Sequence, residues 1–192
     1  MAKVVLDLCC GTKSATAEFA RNGWKVITID IDPRFEPTAC KDVRNKAAVF
    51  SALGNTLPDF VWASPPCTEF AREFMPWCKT GEPPDISIVL ACRDLIRVIK
   101  PYYWCIENVR GAVYYFRALG LGGPRAIVGP FYLWGNFPDI GKPSMAGWRK
   151  KETMSSSRDV QRGAIPKSLA KAVYTAVASQ MKLFEEASHG KE

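Results

Sequence analysis

Histidine is almost missing from this chain. The single one, His189, lies in a polar run near the C-terminal end, and no cysteine pair has the C-x-x-C spacing. Zinc centres are built from those two residue types at such spacings, so no metal is expected. Long apolar runs are lacking too: none comes near the ~18 residues that a membrane span takes, and no basic start followed by an apolar stretch marks a signal peptide. The chain is expected to be soluble and intracellular, with no membrane partner. Nor do the seven cysteines make a disulfide framework, because the number is odd, Cys9 and Cys10 are adjacent, and 192 residues can enclose a core without cross-links. Reduced thiols are expected. Internal repeats are absent, and the short polar run TMSSSR is the extent of low complexity.

What the sequence does have is apolar content, 47%, sufficient for one well-cored domain, placed at residues 1–186 and followed by a polar tail, 187–192. It also has 26 Lys and Arg against 19 Asp and Glu, a net charge of +7 that favours a polyanionic partner. Between Gly141 and Gly163, six cations (Lys142, Arg149, Lys150, Lys151, Arg158 and Arg162) stand against Glu152 and Asp159, so over half of the surplus falls in one stretch of little apolar periodicity. That stretch, with WGNFP ahead of it, forms an expected small nucleic-acid-contacting insertion at 134–163.

Patterning gives the fold class. VVLDLCCG is a short apolar run closed by glycine, and residues 13–22 suit a helix. WKVITIDID reads as a second strand, TACKDV as a short third, NKAAVFSALG as a helix, DFVWAS as a fourth strand, 85–100 as a helix and YYWCIEN as a fifth strand. A closing helix spans 166–186, with Leu169, Ala172, Val173, Ala176, Val177 and Met181 at helical spacing. Strands alternating with helices predict an α/β, Rossmann-like, mostly parallel and doubly wound sheet. In such sheets ligands sit beyond the carboxyl ends of the strands. Those ends carry Asp7 to Gly11, Asp30 with Asp32, Ser64 to Cys67, and Glu107 with Asn108.

The first turn, DLCCGTKSAT, has one glycine and a following helix, which suits either a ligand close to the backbone or an ordinary tight turn. Asp30, at the next strand end, stands where an acid holds both hydroxyls of a ribose, and Asp42 could accept from the amino group of an adenine; either acid could also be a solvated loop residue. Together they describe a nucleoside-bearing cofactor. In VWASPPCTEF two prolines stop a strand rigidly and leave a thiol at the tip. A fixed tip fits a nucleophile, because misplacing one by about 1 Å can cost ~100-fold in rate. Cys9, Cys10, Cys40, Cys92 and Cys105 read instead as buried structural cysteines.

With DLCCGT, IDIDP, KDV, SPPCTEF, ENVRG and RGAIPKSLAKAV in this order, the sequence resembles the DNA cytosine-5 methyltransferases over most of its length. The resemblance implies S-adenosylmethionine as cofactor, with S-adenosylhomocysteine as product, and double-stranded DNA as partner. It assigns Cys67 as the thiolate that adds to carbon 6 of cytosine, Glu107 as the acid at ring nitrogen 3, Asn108 as the residue that orients the turn, and Arg125 in GPRAIVG, with Arg162 second, as the arginine that supports the target base. Leu8, Cys9, Cys10 and Gly11 fall at the methionine end of the cofactor, Asp30 at its ribose, Ile31 against its adenine and Asp42 at the adenine's amino group, with Asp7, Thr12, Val43, Ser64 and Pro65 completing that site. Because carbon 6 is shielded in a stacked duplex, the base must flip out. Residues 68–84, with Arg72, Phe74, Trp77 and Lys79, could close over it, and Arg149, Lys150, Lys151, Arg158 and Arg162 would meet phosphates.

The sequence departs from that family in four places. Lys13 and Ser14 replace the usual glycines of the first turn, Thr68 stands where glutamine commonly follows the cysteine, the supporting arginine is not plainly marked, and only about 55 residues separate E-N-V from the last helix. Sequence discrimination is therefore short, relaxed, or supplied by a protein partner or by self-association. A compact enzyme of this kind suits the cytoplasm of a bacterium or of a phage-infected host cell. Alternatives are an RNA cytosine-5 methyltransferase, an amino-group methyltransferase of adenine or cytosine, and a catalytically silent nucleic-acid-binding protein of the same fold.

Overall fold

The computed structural model describes residues 2–71, 82–146 and 164–189. Seven strands form one sheet: β1 (Val4–Leu8), β2 (Lys25–Asp30), β3 (Ala39–Cys40), β4 (Phe60–Ala63), β5 (Tyr103–Asn108), β6 (Ala126–Val128) and β7 (Phe131–Asn136), in the spatial order β3-β2-β1-β4-β5-β7-β6. The first five are mutually parallel, while β7 runs antiparallel to both β5 and β6. The expected Rossmann-like, mostly parallel, doubly wound sheet is therefore what the chain forms. Strand order reverses between β1 and β4, and a crevice opens where the connections leave in opposite directions.

Helices cover both faces. The described ones are α1 (Ala17–Arg21), α2 (Lys46–Leu53), α3 (Thr68–Ala71), α4 (Ser87–Ile99), α5 (Ala112–Ala118) and α6 (Lys167–His189). Side chains alternate across a strand, so each strand feeds two cores. Leu6, Leu8, Val61, Ala63 and Ile106 pack toward Val49 of α2, Leu95 of α4 and Phe116 of α5. Val5, Phe60, Trp62, Cys105 and Leu133 pack toward Phe19 of α1 and Leu169, Val173 and Val177 of α6. Phe19 is fully buried, stacked on Phe60 at 5.1 Å and edge-on to Trp24 and Tyr174 at 5.1 and 5.3 Å. Truncating a phenylalanine so enclosed costs about 3–5 kcal/mol.

Side chains fasten two helix starts. The Asn45 carboxamide oxygen accepts from Ala48 N at 3.1 Å to start α2, and Asp85 accepts from Ser87 N at 2.8 Å at the head of α4. Three differences from the sequence reading stand out. The helix expected over 13–22 begins only at Ala17, because Cys9, Gly11 and Lys13 all take left-handed φ values, 58°, 46° and 58°, and coil the chain before a helix can start. The third strand shrinks to two residues. The β6–β7 hairpin and α5 have no counterpart in the sequence reading; Trp134 and Phe137, expected in a contacting insertion, are instead buried core residues of β7 and its exit.

Candidate functional site

The crevice at the switch point is lined by the turn after β1. Cys10 N donates to Ile29 O at 3.1 Å and Gly11 N to the Asp30 carboxylate at 2.9 Å, so the turn is fastened to the end of β2. Asp30 also accepts from Asp32 N at 2.9 Å, which fixes its carboxylate at the crevice edge. A Cβ on Gly11 would meet nothing within 4 Å, so open space adjoins the backbone there. Lys13, in the left-handed region, reaches across to donate to Glu36 O at 2.6 Å. Ser14 Oγ accepts from Thr12 Oγ1 at 3.1 Å and from Ile165 N at 2.8 Å, tying the turn to the entry of α6.

Beneath this turn lies Asp7. Its Oδ2 accepts from the Thr16 hydroxyl at 2.6 Å, and its Oδ1 is buried without a partner among the described residues. Burial, together with the charge of Asp30, pushes its pKa up to about 8 against the opposing Thr16 hydrogen bond. A buried carboxyl with one orphaned oxygen suits a cationic or proton-donating group. Ile31, 65% exposed, offers an apolar face at the end of β2. Leu8 and Val43 are buried, so their side chains serve the core, and Leu8 contributes its carbonyl, which accepts from Ser64 N at 3.0 Å. Asp42 is engaged by Arg44, whose Nε and Nη2 donate to it at 3.0 and 2.6 Å and hold its carboxyl below the ordinary range.

The cysteines sort themselves. Burial is the first cause of the rise that puts Cys10 up to about 12, and Cys9, in contact with Cys92 of α4, is raised well above its ordinary value. Cys105 is raised by burial and by the charge of Glu107. Cys40 departs from the sequence reading: it is exposed, with its thiol 3.3 Å from Ile31 O.

At the ends of β4 and β5 the remaining groups meet. Asn108, fully buried, donates to Pro65 O at 3.0 Å and accepts from Val109 N at 2.9 Å, joining the two strand ends. Ser64 Oγ accepts from Trp62 Nε1 at 2.7 Å and hydrogen-bonds Glu107. Desolvation nevertheless dominates at Glu107 and raises its carboxyl to about 7. Cys67 follows Pro66, and its carbonyl accepts from Phe70 N and Ala71 N at 3.1 and 2.9 Å, opening the single turn of α3. Burial and the charge of Glu107 both push the Cys67 thiol up. Phe70 anchors that turn, packed against Phe116 and Tyr115 with ring centroids 5.6 and 5.8 Å away.

Arg125 is exposed at the foot of β6, its guanidinium carbon 5.5 Å from the centre of the Phe137 ring. Arg72, Lys79, Arg149, Lys150, Lys151, Arg158 and Arg162, with Phe74 and Trp77, lie outside the described residues. Two supporting residues escaped the sequence reading. Trp62 stands two positions before Ser64 on the same strand face, a spacing of two that could have revealed it. Thr16 had no local signal, since the turn alone brings it under Asp7.

The fold and site thus define a doubly wound α/β protein with a proline-fixed thiol and a buried carboxyl of raised pKa on adjacent strand ends, beside the turn after β1. Neither a protein-family model nor a curated protein matches the sequence. Among solved structures, the chain is similar to one from E. coli, provisionally described as a DNA modification methyltransferase encoded within a prophage, with 18% identity and a TM-score of 0.49. The match covers 70% of this chain and 47% of that one, so the chain spans about half the length of that structure.

Proposed function

We propose that the chain is an S-adenosylmethionine-dependent DNA cytosine-5 methyltransferase. The observation that carries this reading is the meeting of Cys67, Glu107 and Asn108: the Glu107 charge acts on the Cys67 thiol, and the Asn108 amide bonds the Pro65 carbonyl two residues before it. The crevice residues fit the cofactor. Asp7 has an unpartnered oxygen for an ammonium, Asp30 is fixed for ribose hydroxyls, and Ile31 is bare for an adenine face. When bound, S-adenosylmethionine supplies an electrophilic methyl group.

The protein's own residues do the rest. As a thiolate, Cys67 forms a bond to carbon 6 of a flipped cytosine, and the displaced electron pair moves into the ring toward nitrogen 3. Glu107 in its acid form delivers a proton there, which a carboxyl near pKa 7 can do at neutral pH where one of ordinary value cannot. Carbon 5 becomes nucleophilic, the position to be methylated. Water then takes the carbon-5 proton, the C–H electron pair forms the carbon 5–carbon 6 double bond as the sulfur–carbon pair leaves with Cys67 as thiolate, and nitrogen 3 returns its proton to Glu107. A protonated Glu107 serves twice, because the neutral form also removes the like charge that opposes the thiolate.

Incubation with methyl-labelled S-adenosylmethionine and unmethylated duplex DNA, followed by base-resolution mapping, is expected to place the label on carbon 5 of cytosine. A duplex containing 5-fluorocytosine is expected to be trapped covalently on Cys67 and not on Cys67→Ser. Label on an exocyclic amino group, or methylation that survives Cys67→Ser, would replace this reading with an amino-group transfer; label entering RNA and not DNA would change the polymer.

A further inference from the structure

At the amino-terminal end of β5, away from Glu107 and Asn108 at its carboxyl end, the last turns of α4 and the glycine turn after α5 enclose a cavity of about 240 Å3. Arg93, Arg97, Lys100, Trp104, Gly120 and Leu121 are among its lining residues, and no carboxylate is. Arg93 is committed to structure: Nη1 donates to Leu119 O at 2.9 Å, and Nη2 to Asp94 at 2.9 Å, a carboxylate shared with Lys46 at 2.8 Å. Arg97 and Lys100 are exposed and have no carboxylate partner among the described residues. The negative end of the α4 dipole accounts for a cation at this place. It does not account for a cavity with an indole wall.

That wall is fixed. Gly135 of β7 has φ +146°, and a Cβ on it would lie 2.1 Å from the Trp104 carbonyl oxygen and 3.0 Å from Cε3 of its ring, so only glycine lets β7 run this close to the indole. Gly120, with φ +75°, forms the turn beside Arg97, whose Nη2 lies 3.9 Å from where a Cβ would be, an ordinary contact distance. We propose that this pocket binds a nucleotide unit, with Arg97 and Lys100 on the phosphate and Trp104 against the base. A guanidinium offers paired donors to phosphate oxygens, an ammonium adds a point charge, and an aromatic ring stacks on any base. The cavity admits one such unit and not a duplex. Its source is either a free mononucleotide or the 5′-phosphorylated end of a single strand.

Calorimetric titration of the full chain at low salt with 2′-deoxyadenosine 5′-monophosphate, deoxyadenosine and inorganic phosphate tests this. The nucleotide is expected to bind at least 10-fold more tightly than either half. The double variant Arg97→Gln/Lys100→Asn is expected to lose 10-fold or more, with its thermal midpoint kept, because asparagine tolerates the left-handed φ of 53° at Lys100. Lys182→Gln, on the exposed face of α6, should bind as wild type. The double variant also separates this pocket from adenine binding in the β1–β2 crevice. Competition by a 5′-phosphorylated tetranucleotide assigns the site to strand ends, and failure to compete assigns it to free nucleotide. Undiminished binding by the double variant, or a nucleotide no tighter than phosphate alone, overturns the proposal.

Discussion

The charge on Glu107 bears directly on the Cys67 thiol. The carboxylate form of Glu107 opposes ionisation of the thiol, whereas its neutral form does not, so the thiol's reactivity follows the protonation of its neighbour. Two unit charges about 4 Å apart interact by ~4 kcal/mol at an effective dielectric near 20, and by less as they separate. Glu107→Gln removes the charge and keeps most of the shape, and the thiol pKa falls. Alkylation of Cys67 by iodoacetamide at pH 8, read by peptide mass mapping so that the exposed Cys40 is counted separately, is expected to speed up by roughly 3- to 10-fold. Under the proposed mechanism, methyl transfer by the same variant falls by ~100-fold or more, because the amide cannot donate an acid proton at ring nitrogen 3. A Cys67 rate that does not change would mean that the two side chains do not sense each other.

Among the elements, β7 is the most tightly specified. A Cβ at Gly135 would meet the Trp104 carbonyl at 2.1 Å, a backbone atom that cannot step aside without breaking the β5–β7 ladder. Gly141, with φ +64°, has nothing within 4 Å of its missing Cβ. Gly135→Ala is therefore expected to lower the free energy of unfolding by about 3 kcal/mol or more in urea titration, and Gly141→Ala by only ~1 kcal/mol. This hairpin was also where the sequence was hardest to read. AIVGPFYLWGN has two apolar runs broken by Gly-Pro, a turn signal, but its antiparallel attachment to an otherwise parallel sheet depends on pairing with β5, where partners from Asn108 with Tyr132 to Trp104 with Asn136 stand 24 to 32 positions apart. By contrast β1, β2, β4 and α4 were legible because each is a continuous apolar or amphipathic run with its own stop signal. The strand-end rule then brought Asp7, Asp30, Ser64, Cys67 and Glu107 to one edge. The rule could not supply the Asp7–Thr16 contact, the Arg44 clamp on Asp42 or the late start of α1, since each depends on the left-handed coil of the β1 turn or on local pairing that residue spacing does not encode.

For the whole molecule, the protonation of two interior carboxyls decides how stability depends on pH. Asp7 rises from an ordinary 3.8 to about 8 and Glu107 from 4.5 to about 7, so between pH 4 and 8 the folded chain holds protons that the unfolded chain has released. Their contribution is fully present below the unfolded values and is lost as pH climbs through about 7 and then 8. Raising a carboxyl pKa by one corresponds to about 1.4 kcal/mol, so the loss amounts to several kcal/mol out of a total that is commonly ~5–15. Asp32, Asp42, Asp85 and Asp94 act the other way, held low by Arg34, Arg44, Ser87 and Lys46, but their effect is complete by about pH 5 and does not offset the descent above it. The urea midpoint of the ligand-free protein is thus expected to peak near pH 5 and to fall toward pH 9, and Asp7→Asn/Glu107→Gln should flatten that fall. If the proposed cofactor places its ammonium beside Asp7, binding at pH 6 must release a proton, so affinity for S-adenosylhomocysteine should rise with pH up to about 8 in the wild type and not in Asp7→Asn. A flat affinity profile in the wild type would remove Asp7 from the cofactor site and leave its orphaned oxygen without a ligand.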